Sequence, residues 1–154
     1  MGKRFPLATL GLVLALVAFC LPSQLHAGPR GTARPFKGDA KGQVTGVSPS
    51  GALIVVSAGT ATHLGKFTRT ECVFVEGFEI SGMLIFTAAN CDQLRASFVG
   101  GFTSSATAEG TYTFIGGTGR FADAAGTASF EATLATAPDG IIHVAITFDG
   151  TIDY

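Results

Sequence analysis

The chain has no tryptophan, two tyrosines, three cysteines and few charges of either sign. Each shortage narrows the reading. Ten Lys and Arg stand against eleven Asp and Glu, for a formal charge of −1, and no Lys/Arg cluster occurs. Nucleic acid and anionic membrane surfaces are therefore poor partners. The aromatic content is carried by thirteen phenylalanines, which suits a Phe-filled core better than a polar-lined recognition cleft. There is no Ser-His-Asp spacing and no nucleophile elbow. A Gly-Lys-Ser/Thr phosphate loop is also missing. His63, His143, Cys72 and Cys91 lack ligand spacing, so no metal site and no cofactor are expected.

Only one long apolar run exists, from Phe5 to Leu21. It follows Lys3 and Arg4 and precedes the small-residue ending Leu25-His26-Ala27. That is the layout of a secretory signal peptide. Residues 1–27 are expected to be cleaved, leaving a secreted or periplasmic protein without a membrane span. The run is slightly short for a bilayer helix, which needs about 20 residues; an uncleaved anchor is the alternative. A lipoprotein attached through Cys20 is disfavoured, because the bulky Phe19 precedes it. Residues 28–35 read as a flexible lead-in, and 36–154 as one mildly acidic domain.

Within that domain no apolar period of 3.6 is sustained. Short runs rich in Val, Ile, Thr, Phe and Tyr are separated by Gly-bearing turns, which reads as strands throughout. Eight are expected, near 37–47, 52–57, 60–76 with a kink at Gly65, 78–88, 93–102, 108–115, 126–135 and 141–153. In the last, Val144, Ile146 and Phe148 alternate with His143, Ala145, Thr147 and Asp149, so one face meets a core. The expected fold is all-β: a single antiparallel eight-stranded barrel, whose closure hides every edge. A β-sandwich is the alternative.

Beyond the export segment only Cys72 and Cys91 remain, an even pair that reads as a disulfide in an oxidising compartment. A two-residue turn at Ser81-Gly82 places them opposite each other. Closing such a loop would contribute about 3 kcal/mol. Two separate buried thiols are the alternative, and the Glu76-Gly77 break is a second place where one strand can end. The Ser81-Gly82 register also sets Glu71 against Asp92, an unfavourable pair unless solvated or matched by Arg69 or Arg95.

The most distinctive stretch is Thr113-Phe114-Ile115-Gly116-Gly117-Thr118-Gly119-Arg120-Phe121, continuing through Ala124 to Gly126. Gly116, Gly117 and Gly119 supply a tight corner, Phe121 tucks under the barrel, and a single helical turn ends at Gly126. This run resembles the Gly-Gly-Thr-Gly-x-Phe…Ala-x-Gly signature of dirigent-like and allene-oxide-cyclase-like barrels. His63-Leu64-Gly65-Lys66-Phe67-Thr68, Phe86-Thr87-Ala88-Ala89-Asn90 with Asp92-Gln93-Leu94, and Phe148-Asp149-Gly150-Thr151-Ile152 are similar to stretches of small secreted bacterial proteins of unknown function. The likeness spans about 63–154 and implies the barrel. Its shared residues are glycines and packing residues, so it transfers no catalytic residue. Cys91 departs from it, standing where glycine is expected.

Three side chains are candidates for a ligand site. His63 can act as acid, base or ligand, or simply as a hydrogen-bonded rim residue. Tyr112 can point its hydroxyl into a barrel mouth, or pack with Phe114 around the wall. Arg120 can clamp a carboxylate, or tie down loop carbonyls. Three functions follow: a non-enzymatic binder of a small apolar ligand or surface partner, an isomerase or cyclase of the allene-oxide-cyclase type, or a structural envelope protein. The interior discriminates among them. A cavity of roughly 300 Å³ or more lined by His63, Tyr112 or an acid points to an enzyme. Apolar walls point to a binder, and a filled interior to a structural role.

Overall fold

The alternation of apolar and polar residues runs through the whole domain, and each alternating run is a strand. The computed structural model describes residues 32–154; the expected signal segment 1–27 and the first half of the lead-in, 28–31, lie outside the described residues. The strands are β1 Arg34–Val47, β2 Leu53–Ala61, β3 Gly65–Glu76, β4 Glu79–Ala88, β5 Gln93–Ser104, β6 Thr107–Gly117, β7 Ala125–Thr136 and β8 Ile142–Asp153. A 3-10 turn, Gly119–Phe121, joins β6 to β7. Every strand pairs antiparallel with its neighbour and β1 pairs with β8, from Arg34 opposite Ile152 to Gln43 opposite His143. The result is a closed eight-stranded barrel.

Side chains of one parity fill the interior. On β6, Ala108, Tyr112 and Phe114 are buried while Glu109, Thr111 and Thr113 face outward. Phe36, Phe67, Phe86, Phe98, Phe114, Phe121, Phe130 and Phe148 are all buried, with rings in edge or stacked contact, such as Phe36 against Phe114 at 4.8 Å. Room for these rings comes from small partners across the ladder. Phe148, Phe98 and Phe130 stand opposite Gly38, Gly82 and Gly110, and a Cβ on any of the three glycines would press into the ring it faces.

Three expectations are corrected. First, the run 60–76 is two strands rather than one kinked strand. His63 (φ 66°) and Gly65 (φ 65°) both turn left-handed, and the chain reverses through Thr62-His63-Leu64 into β3. Second, the next hairpin turns at Gly77-Phe78, not at Ser81-Gly82. Gly77 takes φ 63°, Glu76 pairs with Glu79, and Cys72 faces Met83. Gly82 instead lies inside β4, between Val73 and Phe98.

The Cys72–Cys91 disulfide falls with that register. Both thiols are free and exposed. Cys91 sits in the β4–β5 turn, beyond Ala88, which pairs with Phe67. At about 3.3 Å per residue the two cysteines are separated by roughly 20 Å along the strands, far beyond the reach of a disulfide. Cys91 has φ 69°, a conformation that favours glycine, which accounts for the glycine expected at this position. Third, Gly126 does not end the helical turn. That turn closes at Ala122, and Gly126 belongs to β7 opposite Ile152. There a Cβ would lie 2.2 Å from the Thr151 carbonyl oxygen.

Candidate functional site

The two ends of the barrel differ. One carries the β2–β3, β4–β5 and β6–β7 connections, and Phe36, Leu64, Leu94, Phe121 and Ile152 seal it with almost no exposure. The other carries the β1–β2, β3–β4, β5–β6 and β7–β8 hairpins and holds a cavity of about 80 Å³. Val44, Val55, Val73, Phe98, Phe130 and Ile146 are among its walls, and Glu71 and Tyr112 are the polar residues that border it.

Those two belong to a polar layer set across an apolar barrel. Strand alternation on β3 turns Phe67, Arg69 and Glu71 inward together, and Ser57 stands opposite Arg69 on β2. Arg69 and Glu71 are 2% and 6% exposed and form an ion pair through Arg69 Nη2 and Glu71 Oε2. The guanidinium carbon also lies 5.4 Å from the Tyr112 ring centre and 5.8 Å from that of Phe86, within cation–π range. Tyr112 stacks on Phe130 at 4.5 Å.

The layer is not saturated. Ser57 Oγ, Arg69 Nε, Arg69 Nη1 and the Tyr112 hydroxyl are buried without a well-aligned hydrogen bond, although buried polar groups usually have one. The Tyr112 hydroxyl still interacts with the Arg69 guanidinium, to which it can only be an acceptor. Burial pushes the Tyr112 hydroxyl's pKa well above its ordinary 10.0, against the pull of the Arg69 guanidinium. Burial would lower the Arg69 pKa, but Tyr112 and Glu71 beside it outweigh that and raise it. Arg69 is therefore a fixed cation and Tyr112 a fixed neutral hydroxyl. The arrangement can bind an oxygen-bearing group, with the Glu71 carboxylate at the cavity's edge.

Of the three candidates from sequence, only Tyr112 reaches this cavity, and it does so while packing inside the wall. His63 lies at the sealed end, where Nε2 is 3.1 Å from the Pro35 carbonyl oxygen and the ring meets Tyr154 edge-on at 5.6 Å. Arg120 is on the corner at the same end. Its Nε is 3.7 Å from Asp92 Oδ2, and its guanidinium covers Phe121. His63 is thus held at the rim by a backbone carbonyl, while Arg120 faces a carboxylate of its own chain rather than loop carbonyls. Gly116 and Gly119 turn left-handed at the corner where β6 ends, and Gly117 is the last residue of that strand. The corner is fastened by Thr118 N–H donating to the Gln93 carbonyl at 2.8 Å and by Gln93 N–H donating to Thr118 Oγ1 at 2.9 Å. The missed residues are Arg69 and Glu71. Their signal was parity, since they alternate with Phe67 and Val73 on one face.

The outer wall also divides. Val56, Phe74, Met83, Ile85 and Val99, on β2 to β5, are exposed. Among the described residues no group of three or more His, Cys, Asp or Glu is placed to hold a metal.

No family model matches the chain, and no curated protein matches it. Among solved structures it is similar to the pterocarpan synthase dirigent protein GePTS1. The identity is 16% over 80% of this chain and 86% of that one, with a TM-score of 0.45. The barrel itself stands on the chain's own strand pairing.

Proposed function

We propose that this is an exported, non-enzymatic binder that takes the end of a small, mainly apolar molecule into the open end of the barrel. The observation that carries the reading is the apolar cavity of about 80 Å³ at that end. It is smaller than the roughly 300 Å³ typical of pockets that enclose a whole drug-sized ligand. The remainder of the molecule therefore lies across the hairpin rim. Burying four to six methylenes at about 0.8 kcal/mol each contributes roughly 3–5 kcal/mol, which corresponds to millimolar affinity for the enclosed part alone.

Benzene titration followed by methyl NMR tests this. Saturable shifts at Val73, Val144 and Leu134 are expected, with none at Met83 and Ile85 on the outer wall. Ala132→Phe, which fills the mouth, should abolish them while the protein stays folded. Shifts confined to the outer wall, or none, leave the structural role standing. A second reading, an isomerase or cyclase in which the cup steers a reactive molecule, is favoured by Glu71 and Tyr112 bordering one cavity. Native mass spectrometry of exported protein separates the two, since a retained ligand recovered unchanged supports carriage.

A further inference from the structure

The unsaturated polar layer says what kind of end the cup selects. Among its atoms without a well-aligned partner the donors prevail: Arg69 Nε and Nη1 carry only protons to give, and the Ser57 hydroxyl can donate one. The Tyr112 hydroxyl, an acceptor towards Arg69, keeps its own proton to donate. A head group that completes this layer therefore brings acceptor oxygen. Charge decides which acceptor. The Arg69–Glu71 pair is already neutral as a unit, and Glu71 borders the cavity. A carboxylate or phosphate head would add a second anion beside Glu71 and leave net charge buried, which is costly in an apolar interior. A carbonyl oxygen adds none.

We propose that the cup recognises an apolar molecule ending in a neutral carbonyl oxygen, which the Tyr112 hydroxyl, backed by Arg69, receives as a hydrogen-bond donor. The inference rests on the cavity being a binding site at all. Of this layer Tyr112 and Glu71 border the cavity and Arg69 and Ser57 do not, so the contact with the head group falls to Tyr112, with Arg69 acting from behind it. The surrounding walls hold the chain of the ligand without discriminating it.

Three six-carbon probes, methyl butyl ketone, hexane and hexanoate, are titrated into the wild-type protein and Tyr112→Phe. The ketone is expected to weaken about tenfold in Tyr112→Phe, the worth of one buried hydrogen bond. Hexane should change less than twofold, and hexanoate should bind more weakly than the ketone to the wild type. The carbonyl stretch of the bound ketone should fall below its value in hexane solution, a readout that does not need the variant to fold. An unshifted stretch, or equal losses for ketone and hexane, overturns the proposal and leaves the apolar cup intact. Hexanoate binding most tightly overturns it in favour of an anion site on Arg69. Binding of none of the three removes the cup reading and this inference together.

Discussion

Replacing one member of the Arg69–Glu71 pair strands the other in an apolar barrel, and the two strandings are not equal. Breaking a buried ion pair by removing one partner costs about 3–5 kcal/mol. Arg69→Met leaves Glu71, which borders the cavity, so water entering the cup relieves part of the penalty, and the cost belongs near 3 kcal/mol. Glu71→Leu leaves Arg69, 2% exposed and already lacking partners at Nε and Nη1. Its cost belongs near 5 kcal/mol. Arg69→Met/Glu71→Leu together remove both charges and substitute side chains of similar bulk. Such replacements are neutral or stabilising, so the double variant should lie within about 1 kcal/mol of wild type or above it. Urea unfolding of the four proteins measures the cycle. Two outcomes would refute the reasoning: Arg69→Met costing more than Glu71→Leu, or a double variant as unstable as the sum of the singles.

Two further expectations concern the same barrel. Tyr112→Phe removes a buried hydroxyl without a well-aligned partner together with its interaction with Arg69, and should change neutral-pH stability by no more than about 1 kcal/mol. Burial holds the folded pKa of Tyr112 above its unfolded value of 10.0, so its contribution is fully present below pH 10 and is lost as pH rises towards the folded value. Wild-type stability should therefore fall more steeply than that of Tyr112→Phe above pH 10 in denaturation at graded pH. Alkylation of the folded, unreduced monomer should modify both Cys72 and Cys91, as seen in intact mass; a mass lower by two hydrogens and resistant to alkylation would restore the disulfide.

The barrel was legible in the sequence because its signal is periodicity, and periodicity survives ignorance of what pairs with what. Register did not, for a specific reason. Turns at Gly77-Phe78 and at Ser81-Gly82 differ by an even number of residues, so both keep Phe67, Arg69 and Glu71 on one face. Alternation is silent between them. The choice falls to backbone terms that a single sequence does not rank: the left-handed φ of Gly77 and the packing of Phe98 over Gly82. The even cysteine pair suggested a disulfide, but the geometry that would close it rested on that choice.

The site was hidden by a different bias. Charged residues on an alternating strand read as solvent-facing, yet parity put Arg69 and Glu71 inside with Phe67 from the start. His63 and Arg120 drew attention through their chemistry, and both serve the sealed end instead. Composition also pointed away from a polar interior, since phenylalanine fills most of it. A Phe-filled barrel is nonetheless where a buried charged pair has the most consequence. With few competing polar groups nearby, the donors left over by the Arg69–Glu71 contact lack well-aligned partners, and Tyr112 stands between them and the cup. The scarcity of charge in this chain therefore conceals its candidate site and would make the proposed contact selective.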